Sequence, residues 1–334
     1  MYKNDIIAYE QFDLYKANKI TYNLNNEFKE VIEDENNLII KGNSSYGLFE
    51  IIFDKNKGNI KQYKINDEVI FKNGPKLNYF RSPISNDSQY SFNENIESKY
   101  ALELENTHEA FNIGNINIKN NKNNININVI GNLFDSNKVI INYIIHSDGI
   151  ISVSNEFKPT NSLNGVIPKV GMEIVLNDEY QNIKYYGRGP FENYPDRNSA
   201  SIKSIYEDKI ENMFSDLYLR PQDNGLRTDV DYVMLSDKDN KGILITGDNL
   251  QFSALPYNYK QLNKANHFYE LNDSNYIYLN INGNTRGLGN AICGDLPLEK
   301  YTISLNKKYS YKYMIIPFNK PLSDEKLIEY SIYN

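Results

Sequence analysis

The sequence has 334 residues, of which 40% are hydrophobic, so it can form one large or two ordinary domains with a substantial core. Its formal net charge is −7 and it has no block of Lys and Arg that could neutralise phosphates, which argues against a nucleic-acid partner. Cys293 is the single cysteine, which excludes an intramolecular disulfide, and no group of Cys and His has metal-ligand spacing.

The N-terminal residues MYKNDIIAYEQF lack the apolar core of a signal peptide, and no apolar run in the sequence is long enough to cross a bilayer. Together with the lone cysteine, this predicts a cytoplasmic protein without membrane contact. Residues 1–30 are predicted to be a connecting arm, with a strand over Ile6–Asp13 followed by irregular chain.

From Asn37 onward, short runs of alternating apolar and polar residues predict strands: NLIIKG, LFEIIFD, IKQYKIN and EVIF. Asp54–Asn59 has the composition of a hairpin connection, and Asn73–Pro75 is read as a break. VIINYIIH and IISVSNEF are predicted to form a hairpin around Ser147–Gly149, because Asp-Gly turns fit the strand twist.

In the second half, Lys158–Gly165 is the candidate boundary between two halves of the chain. Residues 201–214, SIKSIYEDKIENMF, are predicted to form a short helix or an irregular segment that covers the strands. YVMLSD and GILITGD are predicted to form a hairpin over Lys238–Lys241. Helical periodicity is scarce, so the pattern predicts an all-β fold, either one very large sandwich or two packed ones.

One stretch is too irregular for a strand: Tyr185–Arg197, YYGRGPFENYPDR. Its glycines and prolines interrupt a β-ladder, and it is dense in charged and amide side chains. Two interpretations remain open. The segment is either a loop cross-linked by pairs of Arg and carboxylate, or part of a sugar-binding site.

Five further segments complete a set of motifs in a fixed order: Asn78–Asp87 (NYFRSPISND), Ile167–Gly171 (IPKVG), Tyr218–Val230 (YLRPQDNGLRTDV), Phe252–Tyr257 (FSALPY) and Gly287–Tyr301 (GLGNAICGDLPLEKY). With them, nearly the whole chain resembles the C-terminal domain of the multidomain, LacZ-type β-galactosidases of glycoside hydrolase family 2. Their signature reads WYGRGPxENYPDR, so Tyr185 replaces a Trp. Ile7–Leu14 is similar to the end of the domain that precedes it in those enzymes.

The resemblance implies a single large antiparallel β-sandwich over residues 31–334, the supersandwich fold shared with galactose mutarotase. In this family both catalytic glutamates lie on a (β/α)₈ barrel that precedes this domain, so the resemblance implies no catalytic residue in this chain. It implies no cofactor here either, and Mg²⁺ or Na⁺ are candidates only for the complete enzyme.

The family domain contributes a wall of the substrate pocket, and the residues that match this role are Arg81, Asn86, Asp87, Arg188, Glu192, Gly289 and Cys293. The sequence has no Trp, so the aromatic that stacks on the sugar in well-known members is missing, and Cys293 lies nearest to its place. For Asn86 and Asp87 the alternative is that both cap their own turn.

These observations predict the small subunit, or excised C-terminal part, of a β-galactosidase. The predicted partners are a barrel-bearing large subunit and a galactoside, and self-association of the isolated chain is a further expectation. A stand-alone carbohydrate-binding module is the alternative. An aldose 1-epimerase that uses His267 and Glu270 as its acid and base is a third.

Overall fold

The computed structural model describes residues 10–12, 27–89, 98–160, 165–272, 274–289 and 297–332. In these ranges the strands are β1 (Glu30–Glu33), β2 (Asn37–Ser44), β3 (Gly47–Asp54), β4 (Asn59–Ile65), β5 (Glu68–Leu77), β6 (Asn112–Asn120), β7 (Asn124–Leu133), β8 (Asn137–His146), β9 (Ile151–Lys158), β10 (Val166–Ile167), β11 (Lys169–Asn177), β12 (Asn182–Gly189), β13 (Ile202–Lys209), β14 (Arg227–Ser236), β15 (Gly242–Leu255), β16 (Tyr276–Thr285), β17 (Ile303–Ser304) and β18 (Tyr309–Phe318).

The helices in the same ranges are short. The α-helices are α1 (Ser85–Gln89), α2 (Ser98–Glu105), α3 (Thr107–Ala110), α4 (Tyr259–Lys264) and α5 (Asp324–Ser331), and the 3₁₀ helices are Ile210–Met213, Phe268–Glu270 and Glu299–Tyr301. Across the described residues, no helix has the length and apolar character that spanning a bilayer requires. The all-β prediction is confirmed.

Sixteen of the described strands form one continuous antiparallel sheet, and β10 pairs with β17 apart from it. The main path runs β1-β2-β3-β4-β5-β11-β16-β15-β18-β9-β8-β7-β6, and a branch leads from β15 through β14 and β12 to β13. Strand β15 can have three neighbours because Gly242–Gly247 pairs with β18 and Gln251–Leu255 pairs with β16, while β14 lies along its other edge.

The sheet curls so that its two ends face each other, which makes it a sandwich. Phe53 of β3 meets Tyr143 of β8 edge to face, with ring centroids 5.6 Å apart, and both are 0% exposed. The Tyr143 hydroxyl donates to the Pro75 carbonyl (2.9 Å), and the Tyr63 hydroxyl donates to that of Gly149 (2.7 Å). Each buried ring contributes about 1.5–3 kcal/mol, and these hydroxyls are satisfied by backbone across the core.

The predicted hairpins are confirmed between β3 and β4, between β8 and β9 and between β14 and β15. The predicted break at Asn73–Pro75 is wrong, because β5 continues to Leu77. The strand absorbs the irregularity as register shifts opposite Glu173 and Val175. At Gly74, with φ +103°, a Cβ would lie 2.3 Å from the Glu173 carbonyl oxygen, so only glycine fits here.

Residues 201–214 also differ from the prediction, since Ile202–Lys209 is strand β13 and only Ile210–Met213 is helical. Within the described part of the chain, β13 pairs with β12 alone, so it is an edge strand. Most of its side chains are exposed, and it therefore lacks the alternation by which buried strands are recognised.

Most of the predicted N-terminal strand lies outside the described residues. Its described part, residues 10–12, lies against β13: Gln11 Nε2 donates to the Lys203 carbonyl (3.0 Å), and the Lys203 N–H donates to Gln11 Oε1 (2.7 Å). The division into an arm over 1–30 and a domain over 31–334 stays a prediction.

Helix α5 has no counterpart among the predicted elements. Ser323 caps it by accepting a hydrogen bond from the Lys326 N–H (3.3 Å). Leu327 and Tyr330 pack against Leu244 of β15 in a small second core that also contains residues of β14 and β18. The helix therefore covers one face of the sheet and leaves the loops at the ends of β5, β12 and β16 free to form a site.

Candidate functional site

We call Tyr185–Arg197 the signature segment. After β12 ends at Gly189, this segment turns around a buried amide. Asn193 is 0% exposed, and its Nδ2 donates to the carbonyls of Arg188 (2.9 Å) and Phe191 (3.1 Å). Its Oδ1 accepts from the backbone N–H (3.0 Å) and the hydroxyl (2.5 Å) of Thr228. One side chain therefore fixes the turn and ties it to the start of β14.

Asn193→Ala should lower the free energy of unfolding by about 2–4 kcal/mol, since it leaves several buried backbone and hydroxyl groups without partners. Urea unfolding followed by circular dichroism measures the effect. Asn263→Ala, at an exposed position of α4, is the matched control and should change stability by less than about 0.5 kcal/mol. Equal losses in the two variants would contradict the assignment of Asn193 as the centre of the turn.

A carboxylate of the signature segment holds the chain that leads into β14. Glu192 Oε1 accepts from Arg197 Nη2 (2.6 Å) and from the Tyr218 hydroxyl, and its Oε2 accepts from the Gly225 N–H (2.8 Å). Both carboxylate oxygens are therefore used by the protein. Ionic hydrogen bonds of this kind are about twice as strong as neutral ones.

A second pair joins the segment to its neighbouring strand. Arg188 Nε contacts the Asp229 carboxylate in an ion pair, and Nη1 donates to the Ser201 carbonyl (2.8 Å). The cross-linking that was one interpretation of Tyr185–Arg197 is thus present, within the segment and to β14. The expected irregular conformation is found after Gly189, whereas Tyr185–Gly189 belongs to a regular strand.

The loop after β5 contains a fully buried ion pair. Arg81 is 0% and Asp87 3% exposed, and Arg81 Nε and Nη2 donate to the two carboxylate oxygens at 3.1 Å each. Arg81 also donates to the carbonyls of Arg286 (2.8 Å) and Gly287 (3.2 Å), and Asp87 accepts from the Ile84 N–H (3.2 Å). Asp87 therefore closes its own turn, while Arg81 holds the chain that follows β16.

The chain after β16 is fixed from two sides. Asn86 Nδ2 donates to the Leu288 carbonyl (2.9 Å), and the Asp196 carboxylate accepts from the N–H groups of Leu288 (3.0 Å) and Gly289 (2.8 Å). At Gly287 a Cβ would lie 2.5 Å from an Asp196 carboxylate oxygen, so glycine permits this approach. The signature segment and the loop after β5 thus both hold the stretch 286–289, and both bind Leu288.

A fourth segment joins the others through Asp223, whose N–H donates to the Ser82 carbonyl (3.1 Å) and whose carboxylate accepts from the Tyr194 hydroxyl (2.9 Å). The sequence motifs therefore meet in one place, which we call the loop junction. It consists of residues 81–87, 192–197, 222–228 and 286–289.

Six residues predicted to bind substrate lie in the loop junction or next to it: Arg81, Asn86, Asp87, Arg188, Glu192 and Gly289. The seventh, Cys293, lies outside the described residues. Asn86 and Gly289 are partly exposed, whereas the guanidinium of Arg81 is enclosed. Their role in sugar binding stays a prediction.

A buried amine that sequence analysis did not single out adjoins the junction. Lys169 is 1% exposed, its Nζ donates to Asn280 Oδ1 (2.9 Å), and Nζ lies 4.1 Å from the centroid of the Tyr259 ring. Burial lowers the pKa of Lys169 to about 7, although Asp223 and Glu173 attract its charged form. Burial also raises the pKa of Asp223. The available signal was a lysine inside the otherwise apolar IPKVG motif.

A cavity of about 130 Å³ lies between β5, β11 and α3, and Glu173, His108 and Tyr278 are among the residues that line it. Lys76 Nζ lies 3.2 Å from Glu173 Oε1 at its edge. His108 Nδ1 is buried without a hydrogen-bond partner, and burial lowers the pKa of His108 to about 4, so the ring is neutral at pH 7.

The described residues contain no group of three or more His, Cys, Asp or Glu side chains that could hold a metal ion. The carboxylates of the loop junction instead accept hydrogen bonds from the protein, as shown for Asp87, Glu192 and Asp196. The carboxylates of the loop junction therefore hold its loops in place.

A protein-family model described as "Beta galactosidase small chain" matches residues 44–315, which include all four segments of the loop junction. The chain belongs to this family. The predicted membership of the β-galactosidase small-chain family is therefore confirmed.

Among curated relatives, the β-galactosidase of Priestia megaterium is 26% identical over 315 residues, covering 93% of this chain and 29% of that protein. The β-galactosidase of Psychromonas ingrahamii is 28% identical over 300 residues, covering 86% of this chain and 28% of that protein. The small-chain family member described here thus spans less than a third of the length of these relatives.

Among solved structures, galactose 1-epimerase from Lactobacillus acidophilus aligns over 91% of this chain and 99% of its own, with a TM-score of 0.46 and 7% identity. A putative aldose 1-epimerase from Escherichia coli aligns over 83% of this chain and 98% of its own, with a TM-score of 0.39 and 8% identity.

Proposed function

We propose that this chain is the small subunit or C-terminal part of a β-galactosidase, and that it completes a wall of the active site for hydrolysis of β-galactosides. The observation that carries the proposal is the loop junction. Four sequence segments, far apart in the chain, are fixed to one another by Arg81, Asp196 and Asp223. Such a scaffold positions surface loops rigidly, as a wall beside a catalytic centre requires.

The catalytic carboxylates belong to the large chain in this proposal. A retaining glycosidase needs two carboxyl groups, a nucleophile and a general acid, about 5–5.5 Å apart across the bond. The carboxylates of the signature segment are already engaged: Glu192 with Arg197 and Gly225, and Asp196 with Leu288 and Gly289. Because these carboxylates already hold the loops, we expect the isolated chain to be inactive.

The substrate-facing part of the wall is assigned to the surface of the loop junction. Asn86 and Gly289 are partly exposed there, and Cys293 follows four residues after Gly289 in the sequence. Arg81 and Asp87 act as positioning residues beneath them, because their polar atoms bind the protein. Arg188 and Glu192 hold the signature segment from the other side.

Co-expression with a barrel-bearing large chain from the same source should yield a complex that hydrolyses a chromogenic galactoside, while each chain alone stays at the buffer background. In the complex, Asp196→Ala should lower kcat/KM by about tenfold to a hundredfold, because the backbone of Leu288 and Gly289 loses its anchor and the wall shifts. The exposed Asp239→Ala is the control and should match the wild type.

Hydrolysis by the pure isolated chain would contradict the proposal, as would two chains that never associate at micromolar concentration. In the latter case, galactoside binding by the isolated chain would favour a carbohydrate-binding module. The cavity with the unpartnered His108 Nδ1 is the observation that supports this second candidate. The epimerase alternative has less support, since His267 and Glu270 are exposed and His267 stacks on Tyr269, with ring centroids 5.1 Å apart.

A further inference from the structure

The loop before β14 presents two leucines to solvent. Leu217 is 92% and Leu219 is 98% exposed, whereas Tyr218 between them turns inward to the signature segment. The Ser215 N–H donates to Asn224 Oδ1 (3.0 Å), which closes the base of the loop. The loop is therefore anchored at its base and its middle, and these anchors fix both leucines on its outer side.

These leucines belong to a larger apolar surface. Phe191, which is 51% exposed, and Leu217 line one open cavity of about 740 Å³, with Met213 also among the lining residues. Asp208 of β13 lines the same cavity. We call this surface the docking patch and define it by three residues: Phe191, Leu217 and Leu219.

Single exposed apolar residues are ordinary on protein surfaces, but a cluster beside an open groove marks an interaction site. Burial of an exposed leucine against a partner is favourable, so two leucines held in water are an unused source of binding energy. Because the ion pair of Glu192 and Arg197 is exposed on the Arg197 side, the patch also has a charged rim.

The relatives contain a further region that is the candidate to cover this patch. The matched region is 29% of the Priestia megaterium β-galactosidase, so most of that protein lies outside the part that corresponds to this chain. Residues 10–12 lie against β13, where Gln11 exchanges two hydrogen bonds with Lys203. Residues 10–12 thus lie against β13, the strand whose Asp208 lines the cavity of the docking patch.

We propose that the docking patch is the surface that binds the large, barrel-bearing chain of the β-galactosidase. This inference rests on the proposed function and adds where the two chains meet. The patch adjoins the loop junction through Glu192. This residue contacts Tyr218 of the loop before β14 and Gly225 of the junction. Binding here places the wall next to the catalytic centre of the large chain.

The test is the affinity of this chain for the large chain from the same source, purified separately and measured by biolayer interferometry. The double variant Leu217→Lys/Leu219→Lys should raise the Kd by about 30-fold or more, as expected for the loss of central apolar contacts. Leu102→Lys/Ile328→Lys is the matched control, since these residues are 71% and 58% exposed and lie outside the patch. It should change the Kd less than about twofold.

Circular dichroism and thermal unfolding establish that both double variants fold. If the wild-type chains form an active complex and the leucine variant binds as tightly as the control, the docking patch is wrong while the proposed function stands. If the wild-type chains do not bind at all, both fail. Loss of self-association in the leucine variant, with unchanged binding of the large chain, would also overturn the inference in favour of a second copy of this chain.

Discussion

Asp87→Ala should lower the free energy of unfolding by about 3–5 kcal/mol, the largest single-site loss expected in this protein. The substitution leaves Arg81, which is 0% exposed, as an uncompensated buried charge, and it removes the acceptor of the Ile84 N–H. Arg286 Nη1 also loses an acceptor, since it lies 3.4 Å from the carboxylate. Denaturant unfolding at pH 7 measures this loss.

The control is the double variant Arg81→Met/Asp87→Leu, which removes both charges together. It should be less destabilised than Asp87→Ala, because no charge is left buried without a partner. Lys55→Met, which breaks the partly exposed pair of Lys55 and Glu33, should cost less than about 1 kcal/mol. A loss of this small size in Asp87→Ala would show that Arg81 finds another partner and that the ion pair does not hold the junction.

The second large effect concerns pH. The pKa of Lys169 is about 7 in the folded protein because of burial, against 10.5 as its ordinary value. Between these values the unfolded chain binds more protons than the folded chain, so stability should rise as the pH increases from about 7 towards 10. Below pH 7 the amine is protonated in both states, and the full cost of burying its charge is present.

Lys169→Met should remove this rise, which is at most about 1.4 kcal/mol per pH unit. The free energy of unfolding of Lys169→Met minus that of the wild type should therefore be largest near pH 6. This difference should shrink as the pH increases to 9.5. The exposed Lys61→Met is the control and should follow the wild type at every pH. Parallel curves for Lys169→Met and the wild type would mean that the amine stays charged in the folded protein, paired with Asp223 and Glu173.

Much of the fold follows from sequence pattern, because sandwich strands expose and bury alternate residues. Strands β2 and β3 and the turn at Ser147–Gly149 are examples. Strand β13 was missed for the same reason, since an edge strand with few buried side chains has no such alternation. The continuation of β5 through Gly74 depends on the approach of Glu173 from another strand, which a local pattern does not contain.

The candidate site was predictable in its parts but not in its assembly. Arg and carboxylate pairing follows from the density of charges in the signature segment, and the Arg197–Glu192 contact bears this out. The burial of Arg81 does not follow, because its partner carbonyl belongs to Arg286, more than half of the chain away. Burial decides whether a guanidinium can reach a ligand, and burial is set by the tertiary fold.

The strand order has a consequence for synthesis of the chain. The edge of β5 pairs with β11, where Leu77 meets Met172, and β11 in turn needs β16 on its other side. As the chain leaves the ribosome, β5 therefore has an open hydrogen-bonding edge until β11 is made near the middle of the chain. The other edge of β11 then stays open until β16 is made. Nascent protein of this topology depends on slow, long-range closure, and its growing sheet is exposed to wrong pairing with other chains during that interval.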